Sequence, residues 1–215
     1  MVLNPLSTII VIFPFLIVSG SLLTNLAVSI LAVYYIFKLI TNYSARRFLN
    51  HFIVKMTLIF WIYCIIRSLF SENIYLSLES SLFYGRFIFF SLGVAYLIQQ
   101  DKKILKYLTY SLLFCLLALT LDGYLQFFTG TNILGYEKFN PYRVSSFFKD
   151  ELILGSFLAR LMPLAFFFIA IKSDKKTFFM IFALMLLILQ DVLIFLAGER
   201  VAFFYLILSS ILIIF

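Results

Sequence analysis

The most constraining feature of this sequence is a succession of eight apolar runs that together occupy most of its 215 residues. Only 13% of the residues are charged, whereas a soluble domain carries about 25%. Such a chain has too little polar surface to face water on all sides, so it is predicted to lie in a lipid bilayer. The apolar runs cover residues 4–20, 21–40, 52–70, 82–99, 107–128, 151–171, 178–198 and 201–215.

The runs are continuously apolar and do not alternate with period two, which favours helices over the strands of a membrane barrel. A helix needs about 20 apolar residues to cross the hydrocarbon core, and most of the runs approach that length. Ser19, Gly20 and Ser21 separate the first two runs and predict a tight helical hairpin. The predicted fold is therefore an all-α polytopic membrane protein with about eight transmembrane helices in a single domain over residues 1–215.

The last run, residues 201–215, is shorter than a crossing, since a helix of that length spans about 23 Å. We therefore expect the eighth helix to be incomplete and the chain to be the N-terminal part of a longer membrane protein.

The positions of Lys and Arg predict that the N-terminus lies inside. In that orientation the segments 41–51, 100–106 and 172–177 face the cytoplasm, and the segments 71–81 and 129–150 face outward. The inner side then receives most of the basic residues, namely Lys38, Arg46, Arg47, Lys55, Lys102, Lys103, Lys106, Lys172, Lys175 and Lys176. These residues are expected to set the topology and to contact anionic lipid headgroups, and no chemistry is assigned to them.

The basic residues predicted on the outer side are mostly arginines. Arg86 and Arg160 fall inside predicted helices, near the first turn of the fourth and the third turn of the sixth. A charge at such depth costs about 2.5–3.5 kcal/mol, so both are expected to face the bundle interior or a wet cavity. The alternative for Arg86 and Arg67, and also for Arg160, is that the side chain reaches the outer interface or pairs with an acidic residue. The acidic residues considered are Glu72, Glu79 and Asp122. The outer arginines are Arg67, Arg86, Arg143, Arg160 and Arg200.

The longest outer segment, residues 129–150, is rich in glycine, aromatic residues and the Asn140-Pro141 pair, which favours a turn. Loops of this length in a compact membrane domain are usually functional. Asp150 and Glu151 are expected to open the sixth helix, where acidic residues are favourable. Gly155 and Ser156 suit close contact between helices.

Three pieces of the sequence resemble the O-antigen ligase and O-antigen polymerase superfamily of bacterial envelope enzymes. They are DGYLQFFTGTNILGYE (residues 122–137), RVSSFFKDELILGSFLARLMPL (143–164) and GERVAF (198–203). The middle piece resembles the family's arginine followed by a small-residue-Phe turn, an acidic helix start and a membrane span that contains proline. The last piece resembles its Gly-acid-Arg-small motif at the outer end of a helix. The chain is similar to about the first half of that family.

The resemblance implies a multi-pass protein of the bacterial cytoplasmic (inner) membrane that transfers a glycan at its outer face. The donor is expected to be a glycan on undecaprenyl pyrophosphate, and the acceptor a lipid or another glycan. No metal, cofactor or nucleic acid is implied. The family's proposed catalytic histidine lies in a later outer loop, whereas His51, the one histidine here, falls on the predicted cytoplasmic side. No catalytic residue is therefore assigned, and the chain alone is expected to be inactive.

We expect Arg143, Arg160 and Arg200 to bind the pyrophosphate, with Arg86 as a further candidate. Arginine offers paired hydrogen bonds to phosphate oxygens and stabilises the charge that develops on a pyrophosphate leaving group. The alternative for Arg200 is a structural pair with Glu199 or Asp191. At the level of function, the alternatives are a transporter or flippase of a lipid-linked glycan or organic anion, and a structural membrane subunit.

Overall fold

The computed structural model describes residues 4–172 and 176–214, with the side chains at 166–172, 176–180, 182–184, 210 and 212–214 excepted. All regular elements in the described part are helical, so the prediction of an all-α chain is confirmed. Single-turn 3₁₀ helices cover Arg47–Asn50 and Ser146–Phe148. The α-helices are α1 (Pro5–Ser19), α2 (Ser21–Thr41), α3 (Tyr43–Arg46), α4 (Phe52–Ser68), α5 (Ile74–Gln100), α6 (Lys103–Thr129), α7 (Leu154–Lys172), α8 (Lys176–Ala197) and α9 (Arg200–Ile214).

Each of the eight apolar runs contributes one helix, but fewer than eight of these helices meet the requirements for a membrane span. Within the described residues, α2, α5 and α6 are long and apolar enough to cross a bilayer. A fourth span results if Tyr43–Asn50 and Phe52–Ser68, which meet at a bend of 79°, are counted as one. The described residues therefore contain three or four helices that could span a membrane, fewer than the eight predicted, and α1 and α9 have only 15 residues each.

The structure also corrects two helix starts. Helix α5 begins at Ile74, so most of the predicted outer loop 71–81 is helical and Arg86 lies in the fourth turn. The hydroxyl groups of Ser80 and Ser81 donate to carbonyls four residues earlier, which lets polar residues continue an apolar helix. Helix α7 begins at Leu154, after Asp150 and Glu151, and Arg160 lies in its second turn. The predicted inner segment 172–177 falls largely outside the described residues.

The chain divides into two compact units. The first comprises Met1–Phe13 and Ser21–Ile104, and the second comprises Pro14–Gly20 and Leu105–Phe215.

In the first unit, α5 packs against both α2 and α4. A Cβ atom at Gly93 would lie 2.9 Å from the carbonyl oxygen of Leu31, so the lack of a side chain allows α5 to approach α2 closely. On the other side, the ring of Trp61 in α4 covers Gly85, and its indole N–H donates to the carbonyl of Ser81 at 2.8 Å. Glycines therefore set the spacing of helices in this unit.

In the second unit, the apolar core is formed by α6, the segment before α7, α7 itself, α8 and α9. Gly123 of α6 lies under the side chain of Leu193 in α8, and Gly155 of α7 packs against the methyl group of Ala202 in α9. The hydroxyl group of Tyr124 donates to the carbonyl of Leu189 at 2.8 Å, a second link from α6 to α8. These contacts bring the end of α6 close to the segment that joins it to α7.

Candidate functional site

The segment between α6 and α7 is held in place by a buried glutamine. The side-chain oxygen of Gln126, which is fully buried, accepts hydrogen bonds from the backbone N–H groups of Ser145 (3.0 Å) and Ser146 (2.8 Å). Its amide group donates to the carbonyl of Tyr136 at 3.4 Å. One side chain in the last turns of α6 thus fixes two distant parts of the loop.

Asp122, one helical turn before Gln126, extends this network. One carboxylate oxygen accepts from the Ser146 hydroxyl at 2.5 Å and the other from the backbone N–H of Ile133 at 2.8 Å. The amide of Asn132 donates to the carbonyl of Ser146 at 3.1 Å and accepts from the N–H of Tyr136 at 2.7 Å. Because these polar groups are buried and paired, the loop has a defined conformation.

The predicted turn at Asn140-Pro141 is present. The backbone N–H of Arg143 donates to the carbonyl of Asn140 at 3.1 Å, and the side chain of Asn140 accepts from Tyr142 at 2.9 Å. Tyr142, at the tip, is 90% exposed. The turn therefore directs the chain back toward the helices, and the buried part of the loop resumes at Val144.

Arg143 is bound to the end of α8. Its Nε–H group donates to the carbonyl of Ala197, the last residue of α8, at 2.7 Å. A cation is favourable there because carbonyl groups at a helix C-terminus carry partial negative charge. Within the described part of the chain, its two terminal nitrogens have no hydrogen-bond partner. Arg143 is therefore anchored through Nε and can bind an anion through the rest of the guanidinium group.

Glu199 occupies the N-terminus of α7. Its carboxylate accepts from the backbone N–H groups of Gly155 (2.8 Å) and Ser156 (3.0 Å), and from the Ser156 hydroxyl in a short contact. A carboxylate at this position offsets the positive end of the helix and satisfies N–H groups that have no partner inside it. The capping acid of α7 is thus Glu199, and the predicted role of Asp150 and Glu151 in its first turn is wrong.

Arg200 is the first residue of α9 and is exposed. It follows Glu199, whose carboxylate caps α7. Among the described residues it has no ion pair with Glu199 or Asp191, so the structural pair that was the alternative for Arg200 is not formed. Since Arg143 contacts Gly198, two residues before Arg200, both arginines lie at the same end of the second unit.

Arg160 is exposed on α7 but lies deeper than Arg200. Gly155 packs against Ala202, and the two helices start at the same end. Arg160 lies five residues after Gly155 and Arg200 two residues before Ala202, an offset of about 10 Å along the helix axes. The structure therefore brings Arg143 and Arg200 to one end, with Arg160 further along α7.

Arg86 belongs to the first unit and has partners there. Its guanidinium group donates to the side chain of Asn25 at 2.9 Å and lies 4.9 Å from the ring centre of Phe87. Its Nε atom is buried and has no hydrogen-bond partner in the described residues. The alternative of a pair with an acidic side chain is not formed among the described residues, where Asn25 is the side-chain partner.

The lysines of the loop are also held. Lys138 donates to the carbonyl of Phe127 at 2.9 Å and lies 5.1 Å from its ring centre, and Lys149 lies 4.6 Å from the ring centre of Tyr136. Both lysines are held by contacts within the loop. Among the described residues, Arg143 and Arg200 are the cations at the turn between α8 and α9.

Sequence reasoning did not identify Gln126, Asn132 or Glu199 as residues that build this site. The signal for Gln126 is its spacing of four from Asp122, which places two polar side chains on one face of an otherwise apolar helix. Glu199 lies in the GERVAF piece, but local spacing does not show that it caps α7, because its partner lies 44 residues away in sequence. In the described part of the chain, no three His, Cys, Asp or Glu side chains are grouped as metal ligands.

A scan against protein-family models and searches of curated proteins and solved structures found no match.

Proposed function

We propose that this chain belongs to a membrane glycosyltransferase of the O-antigen ligase or polymerase type, and that the end of its second unit binds the pyrophosphate of an undecaprenyl-linked glycan. The observation that carries the proposal is the arrangement of Arg143 and Arg200 around the turn Gly198-Glu199. The carboxylate of the neighbouring Glu199 already accepts hydrogen bonds from the backbone N–H groups at the start of α7. The two guanidinium groups are left to attract an anion.

The two arginines contribute differently. Arg143 is partly buried and held at Nε by the carbonyl of Ala197, so its terminal nitrogens are oriented in advance. Arg200 is exposed at the first residue of α9 and can close on a ligand. In glycan transfer, such a pair stabilises the negative charge that accumulates on the leaving pyrophosphate as the bond to the sugar breaks.

The loop supports the proposal because it is built around buried hydrogen bonds while its aromatic tip is exposed. Phe139 and Tyr142 are 69% and 90% exposed, respectively. Aromatic side chains of this kind suit the headgroup region of a membrane and the faces of sugar rings. We assign the loop to the glycan side of the donor. The proposed location is the outer face of the bacterial cytoplasmic membrane, with the N-terminus inside.

The experiment measures binding of undecaprenyl pyrophosphate to the chain in phosphatidylcholine nanodiscs. Arg200→Lys keeps the positive charge but loses the planar pair of donors, so we expect binding to weaken about tenfold. The matched control is Arg67→Lys, at an exposed arginine in the last turn of α4. Equal affinity in Arg200→Lys, Arg200→Ala and the control removes Arg200 from the site.

A transporter or flippase remains the second candidate, and one observation favours it. Side-chain oxygens of the neighbouring residues Gln190 and Asp191 in α8 are buried and have no hydrogen-bond partner in the described residues. Buried polar groups inside a membrane helix are typical of ion and substrate pathways. A transporter predicts movement of the lipid-linked glycan between leaflets of proteoliposomes that depends on Asp191, with Asp191→Asn as the variant.

A further inference from the structure

A cavity of about 450 Å³ lies in the first unit, where the chain turns from α2 into α3. Its polar lining comes from two places, the segment after α2 and the last turns of α5. The residues that matter here are Ser44, Arg47, His51, Tyr96, Gln99 and Gln100. We call this the basic cavity. Its size falls within the range of about 300–1,000 Å³ that is usual for small-molecule sites.

The walls of the basic cavity are fixed by hydrogen bonds between elements. The amide of Asn42 donates to the hydroxyl of Tyr96 at 2.9 Å, and the buried hydroxyl of Tyr35 donates to the carbonyl of Ala45 at 2.9 Å. Arg46 donates to the carbonyls of Leu39 and Ile40 at the end of α2. The turn after α2 is therefore tied both to α2 and to α5, and the cavity between them is preformed.

The polar groups of the lining are suited to an anion. The side chain of Arg46 donates two hydrogen bonds to carbonyls at the end of α2, whereas the side chain of its neighbour Arg47 lies over the ring of Tyr43 at 6.0 Å and has no hydrogen bond or ion pair in the described residues. His51 and the amides of Gln99 and Gln100 add further donors. Among the described residues, no carboxylate lines the cavity, and the nearby Asp101 accepts from the backbone N–H of Lys103 at 2.9 Å.

The surroundings of the basic cavity indicate a membrane interface. Phe52 and Ile53, which follow His51 at the start of α4, are 70% and 78% exposed, and Tyr43 is 74% exposed. The chain bends by 79° at this point, between Tyr43–Asn50 and α4. Exposed apolar side chains next to a cationic cavity fit a boundary between hydrocarbon and headgroups, where lipid phosphates lie.

We propose that the basic cavity is a second anion site, which binds a phosphate group through Arg47 with Gln99, Gln100 and His51 as further donors. The phosphate belongs either to the headgroup of an anionic membrane lipid or to a soluble phosphate compound. This site lies wholly within the first unit and does not depend on the proposed glycan transfer.

The two sources are distinguished by two probes applied to the whole 215-residue chain. The first is retention of phosphatidylglycerol, measured by native mass spectrometry after release from nanodiscs of phosphatidylcholine with phosphatidylglycerol. The second is inorganic phosphate added to the chain in phosphatidylcholine alone, measured by calorimetry. Binding of the lipid alone identifies a headgroup site, and binding of inorganic phosphate identifies a site for soluble phosphate. Binding of neither probe overturns the proposal.

The variants test whether binding occurs in the cavity or only on a basic surface. Arg47→Gln is expected to weaken binding about tenfold, because it removes a charge-assisted hydrogen bond. The matched control, Lys55→Gln, makes the same change of charge at an exposed lysine one turn into α4, outside the lining. Equal losses in the two variants overturn the proposal, since they mean attraction by surface charge.

A second variant leaves Arg46 and Arg47 unchanged. Gln99→Glu introduces a carboxylate of nearly the same shape into the lining, at an exposed position where folding does not depend on it. We expect binding to fall at least as much as in Arg47→Gln, because the new charge repels the phosphate. Unchanged binding in Gln99→Glu contradicts a phosphate in the cavity. Arg200→Lys is expected to leave this binding unchanged, which separates this site from the proposed pyrophosphate site.

Discussion

The carboxylate of Glu199 accepts a hydrogen bond from the backbone N–H of Gly155 at 2.8 Å and thereby joins the turn between α8 and α9 to the start of α7. Gly155 also packs against Ala202, so the hydrogen bonds that cap α7 lie next to the contact between α7 and α9. The acidic residue of the Gly-Glu-Arg triplet is consequently used for structure. The two residues on either side of it, Gly198 and Arg200, remain available to contact Arg143 and a ligand.

Removal of this cap should destabilise the second unit. We expect Glu199→Ala to lower the free energy of unfolding by about 1–3 kcal/mol, because two part-buried N–H groups of α7 lose their partner. Glu199→Gln keeps one acceptor oxygen and should lose less. The measurement is SDS titration in mixed micelles followed by circular dichroism. The control is Glu79→Ala, at an exposed position of α5; the same midpoint for both alanine variants means that the cap contributes nothing.

Gly198 is predicted to hold open the space that Arg143 occupies. Its φ is +68°, and a Cβ atom there would lie 3.1 Å from Nε of Arg143. Gly198→Ala therefore combines a left-handed backbone, which costs an L-residue about 1–2 kcal/mol, with displacement of the arginine. Gly135→Ala is a matched control, since Gly135 has φ +82° and nothing within 4 Å.

The difference between these two alanine variants isolates the effect on Arg143. Both should lose stability, but Gly198→Ala alone should weaken binding of undecaprenyl pyrophosphate, by several-fold. Comparable binding in both variants, at matched stability, contradicts a role for the position of Arg143.

The loop after α6 is predicted to depend on Gln126. In Gln126→Leu the buried N–H groups of Ser145 and Ser146 lose their acceptor, at a cost of about 1–3 kcal/mol each. We expect amide hydrogen exchange of residues 143–149 to accelerate at least tenfold, measured by mass spectrometry. Gln100→Leu, at an exposed glutamine, serves as the control and should leave this peptide unchanged. Exchange at the wild-type rate in Gln126→Leu means that the loop is held by other contacts.

The sequence was sufficient to predict the helices, because apolar runs and the turn residues between them are local signals. The starts of α5 and α7 were placed wrongly for two different reasons. At α5 the segment 77–81, which contains three serines and Glu79, is typical of a loop, but serine hydroxyls donate to the carbonyls of their own helix. At α7 the first turn depends on Glu199, which is distant in sequence and brought near only by packing of α9.

The same distinction applies to the candidate site. Its arginines can be identified from the sequence because they are charged residues within or beside apolar runs. Their partners could not be identified in this way, since the bond of Arg143 to Ala197 spans 54 residues and that of Arg86 to Asn25 spans 61. Contacts over such separations follow from tertiary packing and are invisible to local spacing.

The orientation predicted from the basic residues can be tested with two single cysteines in a background of Cys64→Ala and Cys115→Ala. Ser145 is unsuitable for the outer position because it is fully buried, whereas Tyr142 is 90% exposed. Ser44 is exposed in the segment after α2. With the N-terminus inside, an impermeant maleimide added to intact bacterial cells should label Tyr142→Cys and leave Ser44→Cys unlabelled until the membrane is permeabilised. The reverse pattern places the loop 130–153 in the cytoplasm, where an outward-facing glycan donor is absent, and so overturns both the topology and the proposed glycan transfer.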